Sequence, residues 1–171
     1  MERLGLLDFG ADRRGGEPVS TQVGIGYDSH RFEAGRPLVL GGIEVPSEVG
    51  LAGHSDADVL THAVIDSLLG AAGLGDIGNH FPDDDESFRD AVSLDLLATV
   101  VGMVGGTIIN VDATLVLEAP KLAAHREAME SSLSRITGSR VNVKATTNEG
   151  MGWIGRGEGI ACIAVSSVEF A

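Results

Sequence analysis

The chain has 171 residues, of which 43% are hydrophobic, so one domain with a buried core is expected. Asp and Glu number 25 against 12 for Lys and Arg, and the formal net charge of -13 argues against nucleic acid or an anionic membrane as a partner. No apolar run approaches the length of a membrane span. The single cysteine, Cys162, excludes an internal disulfide and favours a reducing compartment such as the bacterial cytoplasm.

The N-terminal part predicts an extension followed by β-structure. The first 22 residues, "MERLGLLDFGADRRGGEPVSTQ", lack the apolar segment of a signal peptide and indicate a flexible extension. The folded domain is therefore expected over 23–171, beginning with a strand at about 23–32. The run "PLVLGGIEVP" then predicts a small hairpin around Gly41 and Gly42.

Two helices are predicted in the middle of the chain. The first covers about 56–69, with Ser55 as its N-cap and Gly70 at its end. The Gly- and Asp-rich loop "GLGDIGNHFPDDD" follows it. Residues spaced four apart then mark a second amphipathic helix that ends at Gly105 and Gly106; they are Phe88, Val92, Leu96 and Val100.

The C-terminal part predicts three strands and one helix. "TIINVDATLVLE", "RVNVKATT" and "GIACIAVSSVEF" are rich in β-formers. Pro120 suits the first turn of a third helix, and Gly138 is its expected end. The residues of this helix that are expected to face the core are Leu122, Met129, Leu133 and Ile136. The interleaved elements indicate an α/β (α+β) fold, a single mixed β-sheet with helices packed on one face.

Candidate metal ligands occur on the first strand and the first helix. In "GYDSHRF", Asp28 and His30 share one face of a strand because side chains alternate. His62 lies at the edge of an apolar helical stripe, between Asp58 and Asp66 at i±4, and these two carboxylates are candidates to orient its ring. Asp28, His30 and His62 would make the three-ligand set of a catalytic zinc site. Taken separately, each is more simply explained by a solvated edge or by the rim of the core.

Candidate phosphate-binding groups occur in two other stretches. His54 and Ser55 enter the first helix, whose N-terminal amides could attract a phosphate, although capping by Ser55 or Asp56 is the plainer explanation of "GHSDAD". In "KATTNEG", Thr146 and Thr147 could donate to a phosphate and Glu149 could hold a divalent cation, where turn chemistry is the plainer alternative.

The glycine-rich run "GRGEG" around Arg156 matches neither the P-loop nor the dinucleotide motif, although the arginine could reach an anionic group. Cys162, in an apolar strand, is interpreted as a small buried hydrophobe.

Together these motifs resemble the 2-C-methyl-D-erythritol 2,4-cyclodiphosphate synthases. The resemblance covers about 23–168 and rests on "GIGYDSHRF", "LVLGGIEVP", "GLAGHSDADVLTHAVIDSLLGAAGLGDIGNHFPDDD", "EAPKL" and "VNVKATTNEGMGWIGRGEGIACIAV". It implies a phosphorus–oxygen lyase of the non-mevalonate isoprenoid route. Such an enzyme converts 4-diphosphocytidyl-2-C-methyl-D-erythritol 2-phosphate into the 2,4-cyclodiphosphate and releases CMP.

The resemblance also implies metals and an assembly. Asp28, His30 and His62 match zinc ligands, one ion per subunit, and Glu149 matches the residue linked to a second ion, Mg²⁺ or Mn²⁺. A homotrimer is implied, with active sites between subunits. Its central cavity could hold an isoprenoid diphosphate near Arg156.

The substrate-binding and catalytic positions follow in the same way. His54 and Thr147 are the expected catalytic residues. The expected substrate contacts are Asp28, His30, His54, Ser55, Asp76, Ile77, Gly78, Phe81, Pro82, Asp83, Asp84, Asp85, Ala119, Pro120, Lys121, Leu122, Ala145, Thr146, Thr147, Asn148, Glu149, Trp153 and Arg156. Asn148, Trp153 and Glu118 depart from the commonest form of the family, and none of them removes a proposed ligand.

Two alternatives remain at this level. A zinc-dependent phosphoester hydrolase could use the same triad with a metal-activated water. A binding module could hold an isoprenoid diphosphate while its active sites are vestigial. The presence of every proposed ligand argues against such decay.

Overall fold

The computed structural model describes residues 19–82 and 91–171. The described elements are, in chain order, β1 (Ser20–Ala34), β2 (Leu38–Leu40), β3 (Ile43–Val45), β4 (Val49–Leu51), α1 (Val59–Ala72), α2 (Ile77–His80), α3 (Ser93–Val104), β5 (Thr107–Val116), α4 (Arg126–Thr137), β6 (Arg140–Thr146), α5 (Gly152–Gly155) and β7 (Gly159–Phe170). Within these ranges, no helix has both the length and the apolar character needed to cross a bilayer.

The strands form a five-stranded mixed sheet in the order β4-β1-β7-β5-β6, and β2 and β3 form a separate two-stranded hairpin. Only the β5–β6 pair is parallel among these ladders; β1 pairs antiparallel with both β4 and β7. The predicted mixed sheet is therefore confirmed, with the hairpin as a second small sheet beside it.

The helices cover one face of the large sheet. α1 packs on β1 and β7, α4 packs on β6, and α3 packs against α1 and α4. The covered face carries the buried side chains of alternate strand residues, such as Leu115 opposite Cys162 on β7, and Cys162 opposite Asp28 on β1. Cys162 is fully buried there, as its apolar strand predicts.

Two glycines of β1 allow α1 to lie unusually close to the strand. A Cβ atom at Gly24 would fall 2.0 Å from the Ser67 carbonyl oxygen, and one at Gly26 would fall 2.0 Å from the Ala63 carbonyl oxygen. These are backbone atoms of α1, so no side-chain movement could make room. The helix backbone therefore rests directly on the first half of β1.

The opposite face of the sheet carries an exposed apolar patch on β1 and β7. Ile25 and Tyr27 on β1 are 71% and 56% exposed, and their antiparallel partners on β7, Val165 and Ile163, are 39% and 42% exposed. These four side chains, with the exposed Val23, form one contiguous patch, which we call the open face. Contiguous exposed apolar surface of this kind marks an interaction site.

Both ends of α1 differ from the prediction. The N-cap is Asp58, whose side chain accepts from the Thr61 amide, whereas Ser55 caps a turn three residues earlier. The helix also continues past Gly70 to a left-handed C-cap at Gly73. Gly70 is therefore an interior residue of the helix, not its end.

The second and third helices start later than predicted. α3 begins at Ser93, and Val92 is an exposed N-cap, not part of the apolar stripe; Phe88 lies outside the described residues. α4 begins at Arg126, so Pro120 is not in its first turn; Pro120 follows a cis peptide bond in the preceding loop. The predicted ends at Gly105 and Gly138 are confirmed, both in the left-handed conformation.

Strand β1 begins at Ser20, three residues before the predicted start, and ends at Ala34. The hairpin around Gly41 and Gly42 and the three C-terminal strands are confirmed. Most of the predicted extension over residues 1–22 falls outside the described residues.

We predict that Gly26→Ala lowers the free energy of unfolding by roughly 1–3 kcal/mol, because the added methyl group would overlap the α1 backbone. Chemical denaturation followed by circular dichroism would measure the change. The matched control is Gly102→Ala on α3, where a Cβ atom meets nothing within 4 Å. That change should stabilise by about 0.5–1 kcal/mol, since alanine favours the helix. Equal effects of the two changes would contradict the close-packing argument.

Candidate active site

Asp28, His30 and His62 lie together along a cavity of about 200 Å³. Their potential ligand atoms are all within 4.8 Å of one another, the one such group among the residues that the structure describes. Asp28 Oδ2 is 3.0 Å from His30 Nε2 and 3.0 Å from His62 Nδ1. The two ring nitrogens are 3.3 Å apart. The three residues are called the triad below.

The geometry of the triad calls for a cation. His30 Nδ1 donates to the Ala52 carbonyl at 2.7 Å, so in a neutral ring the lone pair is on Nε2, which faces Asp28 and His62. A lone pair beside a carboxylate is repelled unless a proton or a metal ion lies between them. Two imidazole nitrogens and one carboxylate are also the donor types of a catalytic metal site with an open position.

The pKa shifts of Asp28 and His30 have directions that also favour positive charge at this site. Burial alone would raise the pKa of Asp28, but hydrogen bonds from His30 and His62 bring it well below its ordinary value. Burial would lower the pKa of His30, and its hydrogen bond to the Asp28 carboxylate outweighs this and raises it. Both directions favour positive charge beside the Asp28 carboxylate.

The local fold explains how the triad forms. Asp28 and His30 follow Gly24 and Gly26 on the covered face of β1, and His62 lies on the first turn of α1. Because the glycines bring α1 onto the strand, the His62 ring meets the two strand residues. The sequence expectation that these three residues share one site is matched by the geometry.

Asp58 fixes the start of α1. Its fully buried carboxylate accepts from the amides of Gly41, Gly42 and Thr61 and from the Thr61 hydroxyl. Asp58 therefore ties the β2–β3 hairpin to the helix. Burial raises the pKa of Asp58 even though these hydrogen bonds favour its charged form.

The loop before α1 brings His54 and Ser55 to the cavity. Arg36 donates to the carbonyls of Gly53 and Ser55 at 2.6 and 2.5 Å, and so holds this loop against the end of β1. The expected phosphate site at the helix N-terminus is wrong in part: the amides of residues 56–58 are already bonded to Ala91, Ser55 and Asp56. His54 and Ser55 themselves line the cavity.

The far side of this cavity is formed after α1. Among the described residues, the lining consists of Asp28, His30, His54, Ser55, His62, Asp66, Ile77, Gly78, Phe81, Pro82 and Leu96. Asp66 accepts from the Ile77 amide at 2.8 Å, and Asp76 caps α2 through the Asn79 amide. The sequence missed Leu96 as a lining residue because its spacing marks only the core face of α3. Asp83, Asp84 and Asp85 lie outside the described residues.

The contacts expected to orient His62 are wrong. Asp58 bonds to the hairpin and to Thr61, and Asp66 bonds to Ile77. The outer nitrogen of the His62 ring, Nε2, is instead 2.9 Å from Ser93 Oγ and 3.3 Å from Ser55 Oγ. The sequence could not indicate Ser93, because it is 31 residues from His62 along the chain.

A second, separate cavity collects the other predicted residues. It measures about 110 Å³ and is lined by Leu117, Glu118, Pro120, Lys121, Leu122, Ala145, Thr146 and Thr147. None of these residues lines the triad cavity. An adjoining space of about 200 Å³ shares Lys121, Leu122 and Ala145. Within one chain, the predicted site residues therefore form two groups.

The loop after β6 is held by Glu118. Its carboxylate accepts from the amides of Asn148 and Gly150 at 3.0 and 3.2 Å, which a glutamine carbonyl could also do. Thr147 donates to Glu149 at 2.9 Å. Glu149 has a φ of +52°, in the left-handed region that is strained for a non-glycine residue and recurs at functional sites.

The remaining predicted positions line neither cavity. Ala119, Asn148 and Glu149 flank the second cavity in sequence, and Trp153 is half-buried on α5. Arg156 follows α5 and is exposed, with its Nε 2.6 Å from Glu158 Oε1.

Comparisons with known proteins identify the family. The YgbB family profile matches residues 21–169. A 2-C-methyl-D-erythritol 2,4-cyclodiphosphate synthase of Desulfatibacillum aliphaticivorans is 54% identical over 86% of this chain and 99% of its own length. One from Symbiobacterium thermophilum is 54% identical over 85% of this chain and 97% of its own. A solved synthase with bound CDP superposes with a TM-score of 0.78 at 40% identity, covering 85% of this chain and 98% of that one. The chain belongs to the YgbB family and so to the 2-C-methyl-D-erythritol 2,4-cyclodiphosphate synthases.

Proposed function

We propose that this chain converts 4-diphosphocytidyl-2-C-methyl-D-erythritol 2-phosphate into 2-C-methyl-D-erythritol 2,4-cyclodiphosphate and CMP. The observation that carries this proposal is the cation-demanding triad beside an open cavity, in a chain of the cyclodiphosphate synthase family. The relatives bear the name of this activity, and the reaction is that of a phosphorus–oxygen lyase in the non-mevalonate isoprenoid pathway.

The chemistry requires no nucleophile from the protein. An oxygen of the substrate's 2-phosphate forms a bond to the β-phosphorus, and the bond from that phosphorus to the bridging oxygen breaks. CMP leaves with the electron pair. Both reacting groups are anionic and belong to one molecule, so folding the substrate into an attack geometry is worth about 7–11 kcal/mol. The protein has to bend the substrate and offset its charge.

The triad fits Zn²⁺, one ion per subunit. It offers two imidazoles and one carboxylate, and the Ala52 carbonyl fixes the tautomer of His30 from outside. When bound, zinc supplies a Lewis acid that withdraws charge from the β-phosphate. Glu149 is the proposed residue for a second ion, Mg²⁺ or Mn²⁺, and its strained backbone and its contact with Thr147 favour a functional role.

The remaining lining has distinct tasks. His54 and Ser55 would donate to the reacting phosphates, and Ile77, Phe81 and Pro82 would exclude water from the methylerythritol. Lys121 and the hydroxyls of Thr146 and Thr147 would bind the diphosphate and cytidine. Further contacts with the substrate are proposed for the other expected positions, which are Asp76, Gly78, Asp83, Asp84, Asp85, Ala119, Pro120, Leu122, Ala145, Asn148 and Trp153.

We further propose a homotrimer whose sites combine the triad cavity of one subunit with the second cavity of its neighbour. Strands β1 and β6 are separated by β7 and β5, which puts these halves about 14 Å apart across one sheet. The apolar open face gives each subunit a surface to bury. A closed ring satisfies both features without leaving a free face.

A central cavity on the three-fold axis of this trimer could take an isoprenoid diphosphate near Arg156. Because Glu158 already pairs with Arg156, an anion there has to displace that carboxylate. A cytoplasmic location accords with the one cysteine, which is free and buried.

The proposed reaction predicts a specific product. Incubation with the cytidyl substrate, Zn²⁺ and Mg²⁺ should give the cyclic diphosphate and CMP, which phosphorus NMR distinguishes from linear phosphates. Linear products alone would instead support a zinc-dependent phosphoester hydrolase, an alternative that the comparisons do not support. Heat-inactivated protein is the control.

We predict that His62→Ala lowers zinc content and abolishes CMP release while the protein keeps its oligomeric state, because the triad loses one of its ligands. Metal analysis, CMP release and sedimentation measure the three properties. The control is His125→Ala at the N-cap of α4, whose side chain makes no cap hydrogen bond, and it should keep zinc and activity. Full zinc and normal turnover in His62→Ala would remove the basis of the mechanism.

We predict that two inactive variants complement each other when mixed. His62→Ala damages the triad cavity, and Lys121→Glu puts a repulsive charge in the second cavity. If sites form between subunits, unfolding and refolding the two variants together at equal amounts should restore about a quarter of the sites. Each site needs an intact triad cavity from one subunit and an intact second cavity from its neighbour, and each of these is present with a probability of about one half. Turnover of the mixture is compared with that of each variant refolded alone. No recovery in mixed oligomers would place both halves within one chain.

A further inference from the structure

The inner and outer nitrogens of His62 have different surroundings. Nδ1 is 3.0 Å from Asp28 Oδ2 and 3.3 Å from His30 Nε2, so it is the atom turned toward the triad. Nε2 points away from the triad, to Ser93 Oγ at 2.9 Å. A neutral imidazole has one protonated nitrogen, and Nδ1 can serve as a metal ligand only if the proton is on Nε2. Something has to accept that proton's hydrogen bond.

Ser93 is oriented to be this acceptor. Its hydroxyl donates to Asp56 Oδ1, and its amide donates to Asp56 Oδ2 at 3.0 Å. Because a serine hydroxyl has one hydrogen and the Asp56 carboxylate takes it, the lone pairs of Ser93 Oγ are left for His62 Nε2. We propose that Asp56 and Ser93 are positioning residues: they hold the proton of His62 on Nε2 and aim the Nδ1 lone pair at the metal position.

Ser55 is less suited to this task. Its Oγ is farther from Nε2, at 3.3 Å, and it already accepts from the Ala57 amide. Ser55 also lines the cavity, where substrate can engage it, whereas Ser93 is fully buried and absent from the lining. The two serines therefore have different roles in this proposal: Ser93 orients the His62 imidazole, and Ser55 is available to the substrate.

A purely structural role for the pair has to be separated from this one. Val92, the N-cap of α3, makes no side-chain cap bond, and Asp56 supplies one to the Ser93 amide from the loop before α1. That bond joins α1 and α3 whether or not His62 binds a metal. Ser93→Ala keeps the amide bond and removes only the hydroxyl, so it separates the capping role from the positioning role.

The test measures zinc affinity by competition with a chromophoric chelator, which does not depend on turnover. Loss of a hydrogen-bond partner behind a metal-binding histidine typically weakens affinity roughly 10–100-fold. We expect a loss of that size in Ser93→Ala and recovery in Ser93→Thr. The control is Ser67→Ala, a buried serine on α1 whose hydroxyl donates to the Val64 carbonyl, and its affinity should be unchanged.

A spectroscopic measurement distinguishes the positioning role from a loss of folded protein. In ¹⁵N-histidine NMR of the zinc-loaded protein, His62 should show a slowly exchanging proton on Nε2, and Ser93→Ala should lose this protection. Asp56→Asn keeps an oxygen for the Ser93 amide and should have a smaller effect in the same direction. It serves as the second variant if Ser93→Ala unfolds.

The inference rests on the proposed metal site, and the outcomes separate the two. Wild-type protein that binds no zinc would overturn both. Wild-type protein that binds zinc, with Ser93→Ala and Asp56→Asn equal to it in affinity and in the His62 signal, would overturn only the positioning role.

Discussion

The contact of the α1 backbone with β1 is the constraint on which the rest of the structure depends. The covered face of β1 reads Gly24, Gly26, Asp28 and His30 in alternate positions. The two glycines admit the helix, and the two polar residues then lie under its first turn, where His62 emerges. With a side chain at either glycine, the helix would have to stand farther from the strand, which would move His62 away from Asp28 and His30. The core packing and the chemistry therefore use the same strand face.

Each imidazole of the triad has a hydrogen-bond partner outside the cluster. His30 is held by the Ala52 carbonyl, His62 contacts Ser93, and the helix that carries His62 is fixed by Asp58. Such buried polar groups are costly when left unpaired and specify one arrangement when paired. In the part of the chain that the structure describes, no buried side-chain nitrogen or oxygen lacks a hydrogen-bond partner. The outer contacts leave the inner atoms free to respond to a cation.

The sequence predicted what local periodicity determines. Alternation in "GYDSHRF" put Asp28 and His30 on one face, and the strands, the hairpin and the helix ends at Gly105 and Gly138 followed from ordinary propensities. That His62 meets the strand pair followed from the family resemblance, because spacing alone favoured a histidine at the edge of the core.

Long-range contacts decided what the sequence could not predict. "HSDAD" offers several capping residues, and Asp58 prevails because the distant amides of Gly41 and Gly42 also bond to it. Ser93 and Arg36 act on residues far along the chain, so no local pattern marks them.

The strand order also explains why one chain holds two half-sites. Strand β1 carries the triad, β6 leads into the threonine loop, and two strands lie between them. Ser29 on β1 pairs with Ala161 on β7, which pairs with Val116 on β5, and Val116 pairs with Thr146 on β6. This row of paired residues crosses the sheet, so both half-sites lie at the same end of their strands. In the proposed trimer, each copy can then offer the triad on one side and the threonine loop on the other, as neighbours in a closed ring require. The helices occupy one face of the sheet, which leaves the open face for the contacts that would hold such a ring together.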